Sequence, residues 1–591
     1  MDVVNTSFQR MNNLKILLFS FFGLLQFVNA QNYPLEYFRS PLDIPIFLAG
    51  NFGEIRSNHF HAGLDMKTES VEGKNIYAVA DGYVSRIKIS HGGYGKALYI
   101  THPNGYTSVY AHLQSFNGEI GEYVNNAQYK KESYEIELFP SKTGLLVKKG
   151  ELVALSGNSG GSGGPHLHFE LRETKTEIPV NPLLFGFDIK DDIKPTIKKL
   201  GIYPVKEMGT VNNSGAPKLL ELTGNKGLYK LNSTITLSGK IAFGLEVQDK
   251  LNGSSNRCGV YSIELLIDSQ EVYCHKMDKI GFHETRYINS HVHFYDWKKN
   301  SSRIQRSYVQ PNNKLNVYNC KKNAFTYDFK DEKKHLIQYI VTDSYGNAST
   351  FSFIANSIEF KDTVSQAKTH SEHTDFSNFQ SLLFKSNKRN DFKTEDFKIS
   401  LPANILYDDF VFDYQRTEPK GRAITPIHKA HNIYEPLHSY MTMSIKIDSL
   451  PEVLQDKALI VALDEENKFL AAEGGTYNEG WITVKTRSFG PYTVMIDTIA
   501  PLIKSYNIVK GRDMTSRGKL QVTVSDELSG LKTYRGTIDG KWILMEYDYK
   551  LNLLTYFFDD SKLDKGKSHK LKITASDKQA NNSEYSIDFI W

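Results

Sequence analysis

The chain has 591 residues and a formal net charge of +4 at pH 7. This length is too great for one hydrophobic core, so roughly three or four domains of about 100–200 residues each are expected. Aromatic residues make up 12% of the sequence, and many of them lie in alternating runs that favour β structure. The small net charge, without a long basic stretch, gives no reason to expect nucleic acid as a partner.

The N-terminal segment predicts export. Lys15 precedes an apolar run over residues 16–25, and the small-x-small pattern Val28-Asn29-Ala30 follows. This arrangement is typical of a cleaved signal peptide, and the run is shorter than the about 20 residues that span a membrane. Residues 1–30 are therefore predicted to be a signal peptide. The mature chain is expected in the periplasm, the cell envelope or the extracellular space, without a stable membrane span, and an uncleaved membrane anchor is the alternative.

Residues 31–190 are predicted to form one all-β unit. The predicted strands are 76–80, 82–89, 97–102, 107–112, 152–156 and 166–172. Turns rich in Gly and Asn separate them. Many short strands with tight turns indicate an antiparallel β sandwich or barrel. A polar insertion at 119–147 interrupts the pattern.

Three histidine motifs lie on this β unit: His61-x-x-x-Asp65, a Tyr-Ala-His-Leu segment with His112, and His166-x-His168. Residues i and i+2 of a strand project from one face, so His166 and His168 are expected to enter the same cleft, one to bind metal and the other to act on substrate. Glycine between His61 and Asp65 lets a loop bend until both side chains face one point. Together the motifs supply the ligands and bases of a catalytic zinc site.

Each motif alone has an ordinary explanation. A single histidine is more often a surface or core residue, and Asp65 alone would be a turn residue. Glu170 shares the face of His168, where it would accept a hydrogen bond from an imidazole or lie at the surface as an ordinary carboxylate. The glycine-rich segment 157–164 lacks the Lys-Ser/Thr ending of a phosphate loop and is predicted to be a flexible loop that presents the His166 strand.

As a set, the motifs resemble the lysostaphin-type, or LytM-like, zinc metallopeptidases, which are peptidoglycan endopeptidases with a duplicated-hybrid-motif β fold. The resemblance covers residues 45–187. It implies that His61, Asp65 and His168 bind one Zn2+ and that His112 and His166 form the catalytic pair. Which of the pair acts as general base and which stabilises the oxyanion stays open.

The resemblance implies an exported zinc metalloendopeptidase that hydrolyses peptide bonds in peptidoglycan stems or cross-links. All five positions are filled, whereas family members that lack ligands act as regulators. One alternative is a non-catalytic envelope scaffold or activator of other cell-wall hydrolases. A carrier-type domain is another alternative, although the sequence lacks the exposed lysine between two strands that such a domain needs.

The rest of the chain is predicted to consist of accessory β domains with a weak internal repeat. The repeat pairs Asp191 with Asp497, Asp249 with Asp526 and Asp343 with Asp577, together with their neighbouring residues. An alternating strand followed by an Asp/Asn turn, twice per unit, is typical of immunoglobulin-like sandwiches. The predicted units are an immunoglobulin-like domain with insertions (191–358), a polar linker (359–395), an accessory β domain (396–496) and a C-terminal immunoglobulin-like domain (497–591). Envelope proteins are the partners expected for these domains.

Two further features carry less information. His291 and His293 repeat the i, i+2 spacing, but no His-x-x-x-Asp motif precedes them, so a metal site is not expected there. Cys258, Cys274 and Cys320 are not spaced as a zinc knuckle. The sequence leaves two alternatives open, which are one disulfide with one free thiol and three free thiols.

Overall fold

A computed structural model describes residues 33–318, 326–360 and 379–591. The predicted signal peptide, Cys320 and residues 361–378 of the predicted linker lie outside the described residues. The described part consists of β sheets with a few short helices, which confirms the predicted all-β fold class. Within that part, no helix has the length and apolar character needed to cross a membrane.

The first unit is built on one large antiparallel sheet. Its strands, with those of two small sheets, are β1 (Leu48–Gly50), β2 (Ile55–Arg56), β3 (His59–Phe60), β4 (Leu64–Lys67), β5 (Asn75–Tyr77), β6 (Gly82–Ile89), β7 (Lys96–Thr101), β8 (Tyr106–Ala111), β9 (Leu113–Phe116), β10 (Ile136–Leu138), β11 (Leu146–Val147), β12 (Leu152–Ser156), β13 (His166–Glu173) and β14 (Pro179–Val180). The large sheet has the order β1-β4-β13-β8-β7-β6-β10, so β13 lies in its middle. Strands β5, β12 and β9 form a second sheet.

Strand β13 separates the core from the site. Leu167, Phe169 and Leu171 are fully buried in the core of the unit. Because side chains alternate across a strand, His166, His168 and Glu170 project from the opposite face. Leu167, between the two histidines, thus points into the core.

The predicted polar insertion contains a helix, α1 (Gly118–Lys131). Its buried residues include Ile120 and Val124, which are four positions apart and therefore share a face. The remaining turns are polar, so the sequence shows little helical periodicity. A 3-10 helix at Pro182–Phe185 closes the unit.

The second unit is a large sheet with short helices at one end. Its strands are β15 (Thr196–Val211), β16 (Lys218–Glu221), β17 (Thr223–Asn225), β18 (Leu228–Lys230), β19 (Ile235–Gln248), β20 (Ser262–Ile267), β21 (Gln270–Lys276), β22 (Ile304–Arg306), β23 (Tyr327–Phe329), β24 (Lys334–Thr342) and β25 (Ala348–Ile358). Its helices are a 3-10 helix (Thr285–Tyr287), α2 (Ile288–His291) and α3 (Phe294–Asn300). The long strand β19 pairs with both β15 and β25.

The third unit consists of two sheets that share one core. Its strands are β26 (Phe379–Phe384), β27 (Asn390–Lys393), β28 (Phe397–Leu401), β29 (Phe410–Thr417), β30 (Ile427–Ala430), β31 (Met441–Lys446), β32 (Ala458–Leu463), β33 (Phe469–Gly474), β34 (Thr476–Asn478), β35 (Trp481–Thr486) and β36 (Gly490–Ile496), with the short helix α4 (Glu452–Gln455). Strands β26 and β27 pair with β29 and β28. The predicted linker, 359–395, is therefore wrong in its C-terminal part, where polar surface positions conceal the alternation of two strands.

The C-terminal unit is a sandwich of two four-stranded sheets around one core. Its strands are β37 (Leu502–Ser505), β38 (Lys519–Ser525), β39 (Leu531–Ile538), β40 (Lys541–Trp542), β41 (Glu546–Asp548), β42 (Leu553–Phe557), β43 (Ser568–Asp577) and β44 (Asn582–Ile590). The immunoglobulin-like assignment of this unit and of the second unit stays a prediction.

Candidate metal centre and catalytic histidines

Neighbouring strands bring the predicted ligands side by side. In the antiparallel register, His168 of β13 lies opposite Asp65 of β4 and, on its other side, opposite Ala111 of β8. His112 follows directly after β8, and His61 lies in the turn between β3 and β4. The five residues predicted for the site therefore meet on one face of the large sheet.

The turn between His61 and Asp65 requires glycine because it has no space for a side chain. A Cβ atom at Gly63 would lie 2.3 Å from the carbonyl oxygen of Phe169 and 2.8 Å from Cγ of Glu170. Gly63 is not among the glycines with a positive φ. The expectation that glycine is needed here for a special backbone bend is thus wrong. Glycine is needed because the turn passes close to the backbone of β13.

Three buried side chains place one ligand atom each around a common point. His61 Nε2 lies 3.0 Å from His168 Nδ1 and 3.0 Å from Asp65 Oδ1, and His168 Nδ1 lies 2.9 Å from Asp65 Oδ1. In a tetrahedral site with bonds of about 2.0–2.1 Å, neighbouring ligand atoms are about 3.3 Å apart. Small outward movements of the side chains would therefore give the spacing of metal ligands.

The hydrogen bonds of the two imidazoles fix which nitrogen faces this point. His61 Nδ1 donates to the carbonyl oxygen of Asn51 at 2.8 Å, which leaves the lone pair on Nε2. His168 Nε2 donates to Glu170 Oε1 at 2.8 Å, so Nδ1 is the nitrogen that faces the cluster. One nitrogen of each ring thus lies beside the Asp65 carboxylate, and this donor set suits a divalent metal ion.

Glu170 is a buried carboxylate that contacts the ring of His168. It is fully buried and accepts hydrogen bonds from Arg172 Nε at 2.6 Å and from the hydroxyl of Tyr94. Burial alone would raise the pKa of Glu170, but the charges of Arg172 and His168 outweigh it and lower the pKa to about 2. Glu170 is therefore an anion that orients His168, and the alternative of a surface carboxylate is wrong.

Asp65 divides its two oxygens between the cluster and a cation. Its Oδ1 faces the histidines, and its Oδ2 accepts a hydrogen bond from Arg56 Nη2 at 2.5 Å. Arg56 also contacts Glu54, at 3.2 Å. Burial would raise the pKa of Asp65, but the neighbouring histidines, His61 first among them, hold it well below its usual range. The aspartate is therefore charged and fixed in orientation.

His112 and His166 form a second pair beside the cluster, with ring centres 4.9 Å apart. His112 Nδ1 donates to the carbonyl oxygen of Ser159 at 2.8 Å, and His166 Nδ1 donates to that of Gly164 at 2.8 Å. The Nδ1 atom of each ring is thus held by the backbone, and Nε2 of His166 lies 3.3 Å from Asp65 Oδ1. His112 has a φ of 59°, a left-handed conformation that costs free energy in a residue with a side chain.

The glycine-rich segment holds both of these histidines through its backbone carbonyls. It packs against residues 93–95, where Gly161 N donates to Gly93 O at 2.8 Å. A Cβ atom at Gly160, whose φ is +70°, would lie 2.3 Å from Gly95 N. Glycine is thus required both for the backbone conformation and for this contact.

The C-terminal unit contacts the same segment. Lys550 Nζ donates to the carbonyl oxygens of Asn158 and Ser162 at 2.7 and 3.1 Å. Lys96 of β7 forms an ion pair with Glu546 of β41 at 2.7 Å. The accessory domain therefore holds one edge of the candidate site.

Sequence reasoning missed Asn51, Arg56, Tyr94 and Arg172. Arg172 continues the alternation of His168 and Glu170 along β13, so strand periodicity could have found it. The other three lie on separate loops and strands, where the sequence carries no comparable signal. His291 is buried and contacts Gln305 and Tyr318, and it belongs to no metal-ligand cluster in the described residues.

Comparisons with known proteins agree with this geometry. Residues 59–129 match the family described as Peptidase family M23, and residues 381–497 match the family described as Zu5-like domain. An uncharacterized metalloprotease of Haemophilus influenzae is 34% identical over 123 residues, which are 21% of this chain and 20% of that protein. The DD-carboxypeptidase/endopeptidase Mpg of Neisseria meningitidis is 33% identical over 123 residues, which are 21% of this chain and 22% of that protein. The chain thus spans about a fifth of the length of these curated relatives.

Solved structures also align with the chain. The catalytic domain of EnpA, a prophage-encoded M23 protein from Enterococcus faecalis, is 25% identical with a TM-score of 0.19, covering 24% of this chain and 95% of that one. A zinc containing peptidase from Vibrio cholerae is 26% identical with a TM-score of 0.16, covering 25% of this chain and 37% of that one.

The match over residues 59–129 includes His61, Asp65 and His112, and the fold adds His166 and His168 on the adjoining strand. The resemblance of the first domain to the LytM-like peptidases of family M23, predicted from the sequence, is therefore confirmed.

Proposed function

We propose that this protein is a zinc metalloendopeptidase that hydrolyses peptide bonds in the stems or cross-links of peptidoglycan. The observation that carries the proposal is the convergence of two imidazole nitrogens and one carboxylate oxygen, from His61, His168 and Asp65, beside a separate histidine pair. Catalytic zinc sites combine three protein ligands with an open position. The proposed ligand set leaves such a position on the side of His112 and His166.

The residues fit zinc because nitrogen and carboxylate donors at this spacing suit its tetrahedral coordination. A bound zinc ion supplies Lewis-acid chemistry, which polarises a peptide carbonyl and makes water more acidic. Glu170 and Asn51 hold the two ligating rings in the tautomers that zinc requires. These hydrogen bonds therefore fix the orientation of both ligating rings.

The proposed roles of His112 and His166 follow from their hydrogen bonds. Because each ring keeps its proton at Nδ1, its Nε2 can accept a proton from the attacking water. A ring protonated in this way can then donate to the oxyanion or to the leaving amine. The backbone carbonyls of Ser159 and Gly164 keep both rings in position while the proton moves.

The substrate class is supported by the names of the relatives. The Neisseria relative is called a DD-carboxypeptidase/endopeptidase, and the peptidoglycan proposed as the substrate of this chain lies in the cell envelope. Export by the N-terminal segment, which lies outside the described residues, would bring this chain to the same place. The accessory β domains, including the Zu5-like match, would then contact envelope partners.

The test is digestion of purified peptidoglycan, followed by separation of the muropeptides and mass spectrometry. Zinc-loaded protein should release new peptide ends, and a chelator should stop the release. The variants H112A and H166A should lose about 10²–10⁴-fold in rate while still binding zinc, because each removes a proton-transfer group and no ligand.

His59 offers a matched control. It is exposed and lies two residues before His61, outside the ligand cluster. The variant H59A should keep its rate. If zinc-loaded protein releases no peptide ends although zinc is bound, the proposal fails, and the scaffold or activator role takes its place.

A further inference from the structure

A second group of carboxylates lies where the peptidase domain meets the second unit. Asp191 lies on the segment that joins the two, Asp249 follows β19, and Asp343 follows β24. One carboxylate oxygen from each lies within 4.8 Å of the other two. Asp249 and Asp343 are 2% and 3% exposed, so negative charge is concentrated in a space largely closed to water.

The hydrogen bonds of this cluster leave carboxylate oxygens unsatisfied. Oδ1 of Asp249 and Oδ2 of Asp191 are buried and have no hydrogen-bond partner. A buried polar atom without a partner destabilises the fold, and it does so more strongly when it is charged. These unpaired carboxylate oxygens are therefore unfavourable in the native fold. A positive ion between the carboxylates would offset that cost.

The electrostatics agree with this view. Burial raises the pKa of Asp249 to about 8, and the charges of Asp191 and Asp343 add to the effect. Burial also raises the pKa of Asp191 to about 7, again with a contribution from Asp343. A bound cation would remove this penalty, because it favours the ionised form of all three groups.

Asp343 is held rigidly in position. Its Oδ1 accepts hydrogen bonds from the backbone N–H groups of Tyr345 and Asn347 at 2.8 and 2.9 Å. Asn347 Nδ2 donates to Asp343 Oδ2 at 2.7 Å and to the carbonyl oxygen of Asp191 at 3.0 Å. Asp343 is thus preorganised, while Oδ2 of Asp191 and Oδ1 of Asp249 have no hydrogen-bond partner.

The internal repeat supplies a natural comparison. Asp497, Asp526 and Asp577 occupy the corresponding positions in the C-terminal unit and also form a cluster. Asn581 donates to Asp577 and to the carbonyl oxygen of Asp497, as Asn347 does in the first cluster.

The two clusters differ in how their carboxylates are satisfied. In the C-terminal cluster, Leu528 N and Gly530 N donate to Asp526 Oδ2 at 3.2 and 2.7 Å, and Ser529 N donates to Asp497 Oδ2 at 3.0 Å. Among the described residues, no carboxylate oxygen of this cluster is buried without a partner. Backbone N–H groups thus satisfy Asp526 and Asp497 there, whereas Oδ1 of Asp249 and Oδ2 of Asp191 have no partner in the first cluster.

We propose that Asp191, Asp249 and Asp343 bind a calcium ion that stabilises the junction between the peptidase domain and the second unit. Carboxylates without nitrogen or sulfur donors suit hard cations, and Ca2+ accepts irregular sets of oxygen ligands at about 2.3–2.6 Å. Ligands on opposite sides of such an ion are about 5 Å apart, which suits the spacing of the cluster.

The place of the site in the fold gives the ion a structural role. After Asp249 the chain forms a loop whose Leu251 and Cys258 pack in the core of the peptidase domain. Gly259 N donates to Asn51 Oδ1 at 2.8 Å, and the carbonyl oxygen of Asn51 orients His61. A calcium ion on Asp249 would therefore stabilise the loop that supports the ligand shell of the metal centre.

The test is calcium binding to the zinc-loaded full chain by equilibrium dialysis, with calcium up to about 10 mM to include weak extracellular-type sites. We expect one calcium ion per chain. The variant D249N should bind none, and the matched variant D526N, altered at the corresponding position of the C-terminal cluster, should bind as the original chain does.

Thermal unfolding provides a second readout that also shows whether D249N folds. Without calcium, D249N should be at least as stable as the original chain, because it removes a buried acidic group that has an oxygen without a hydrogen-bond partner. Calcium at about 100 times its Kd should raise the folding constant of the original chain and of D526N about 100-fold and leave D249N unchanged. No calcium binding, binding that survives D249N, or tighter binding of Mg2+ than of Ca2+ would overturn the proposal.

Discussion

Replacing Glu170 by glutamine separates metal binding from fold stability. Glutamine keeps the shape of the side chain but removes the charge that accepts the His168 Nε2 proton at 2.8 Å. Loss of the hydrogen-bond partner of a metal-binding histidine typically lowers metal affinity about 10–100-fold. We therefore expect E170Q to bind zinc about 10–100-fold more weakly, which corresponds to about 1.4–2.7 kcal/mol.

The same change leaves a buried cation without its partner. Arg172 is 5% exposed and donates to Glu170 Oε2 at 2.6 Å. Breaking a buried ion pair from one side costs about 3–5 kcal/mol, so E170Q should also be less stable in urea without zinc. The double variant E170Q/R172M removes both charges and should recover most of that stability while keeping the weakened zinc affinity.

Zinc affinity is measured by competition with a chromophoric chelator, and stability by urea unfolding of the metal-free protein. Two results would refute the reasoning. One is an E170Q protein whose zinc affinity equals that of the original chain. The other is a double variant that regains zinc affinity together with stability, because the defect would then come from the fold and not from the orientation of His168.

Three further predictions concern the close packing at Gly63, the pH dependence of stability and the contact of the C-terminal domain with the site. The variant G63A should be destabilised by a few kcal/mol, because its Cβ would lie 2.3 Å from Phe169 O; urea unfolding measures this, and unchanged stability would contradict it. Burial lowers the pKa of His428 to about 4 in the folded chain. Between about pH 6.5 and 4 this histidine is therefore protonated in the unfolded chain but not in the folded chain, and the free energy of unfolding should fall as pH decreases through that range. H428Q should show a weaker pH dependence, and an unchanged slope would count against this. K550A should lower kcat a few-fold by loosening the segment that holds His112 and His166, with exposed Lys510 as the control position.

The chemistry of the site could be predicted from sequence because it depends on short-range periodicity. The i, i+2 spacing along β13 placed His166 and His168 on one face and suggested the role of Glu170. Each of these inferences needs only the alternation of a strand. The structure adds the register that places His168 opposite Asp65.

Other parts depend on contacts that sequence spacing does not contain. Asn51 and Tyr94 fix the ligand rings from distant segments, and the reason for Gly63 is a backbone atom about 100 residues further along the chain. The internal repeat was visible in the sequence, but the meeting of Asp191, Asp249 and Asp343 at one point required the three-dimensional fold. The helix α1 was hidden because most of its surface is polar.

The most direct test of the central claim is the zinc content per chain of the original protein, H168A and H166A, measured by mass spectrometry of the metal. The proposed division of the histidines into ligands and catalytic groups predicts one zinc ion in the original chain, none in H168A and one in H166A. Equal zinc content in H168A and the original chain, or loss of zinc in H166A, would contradict that division.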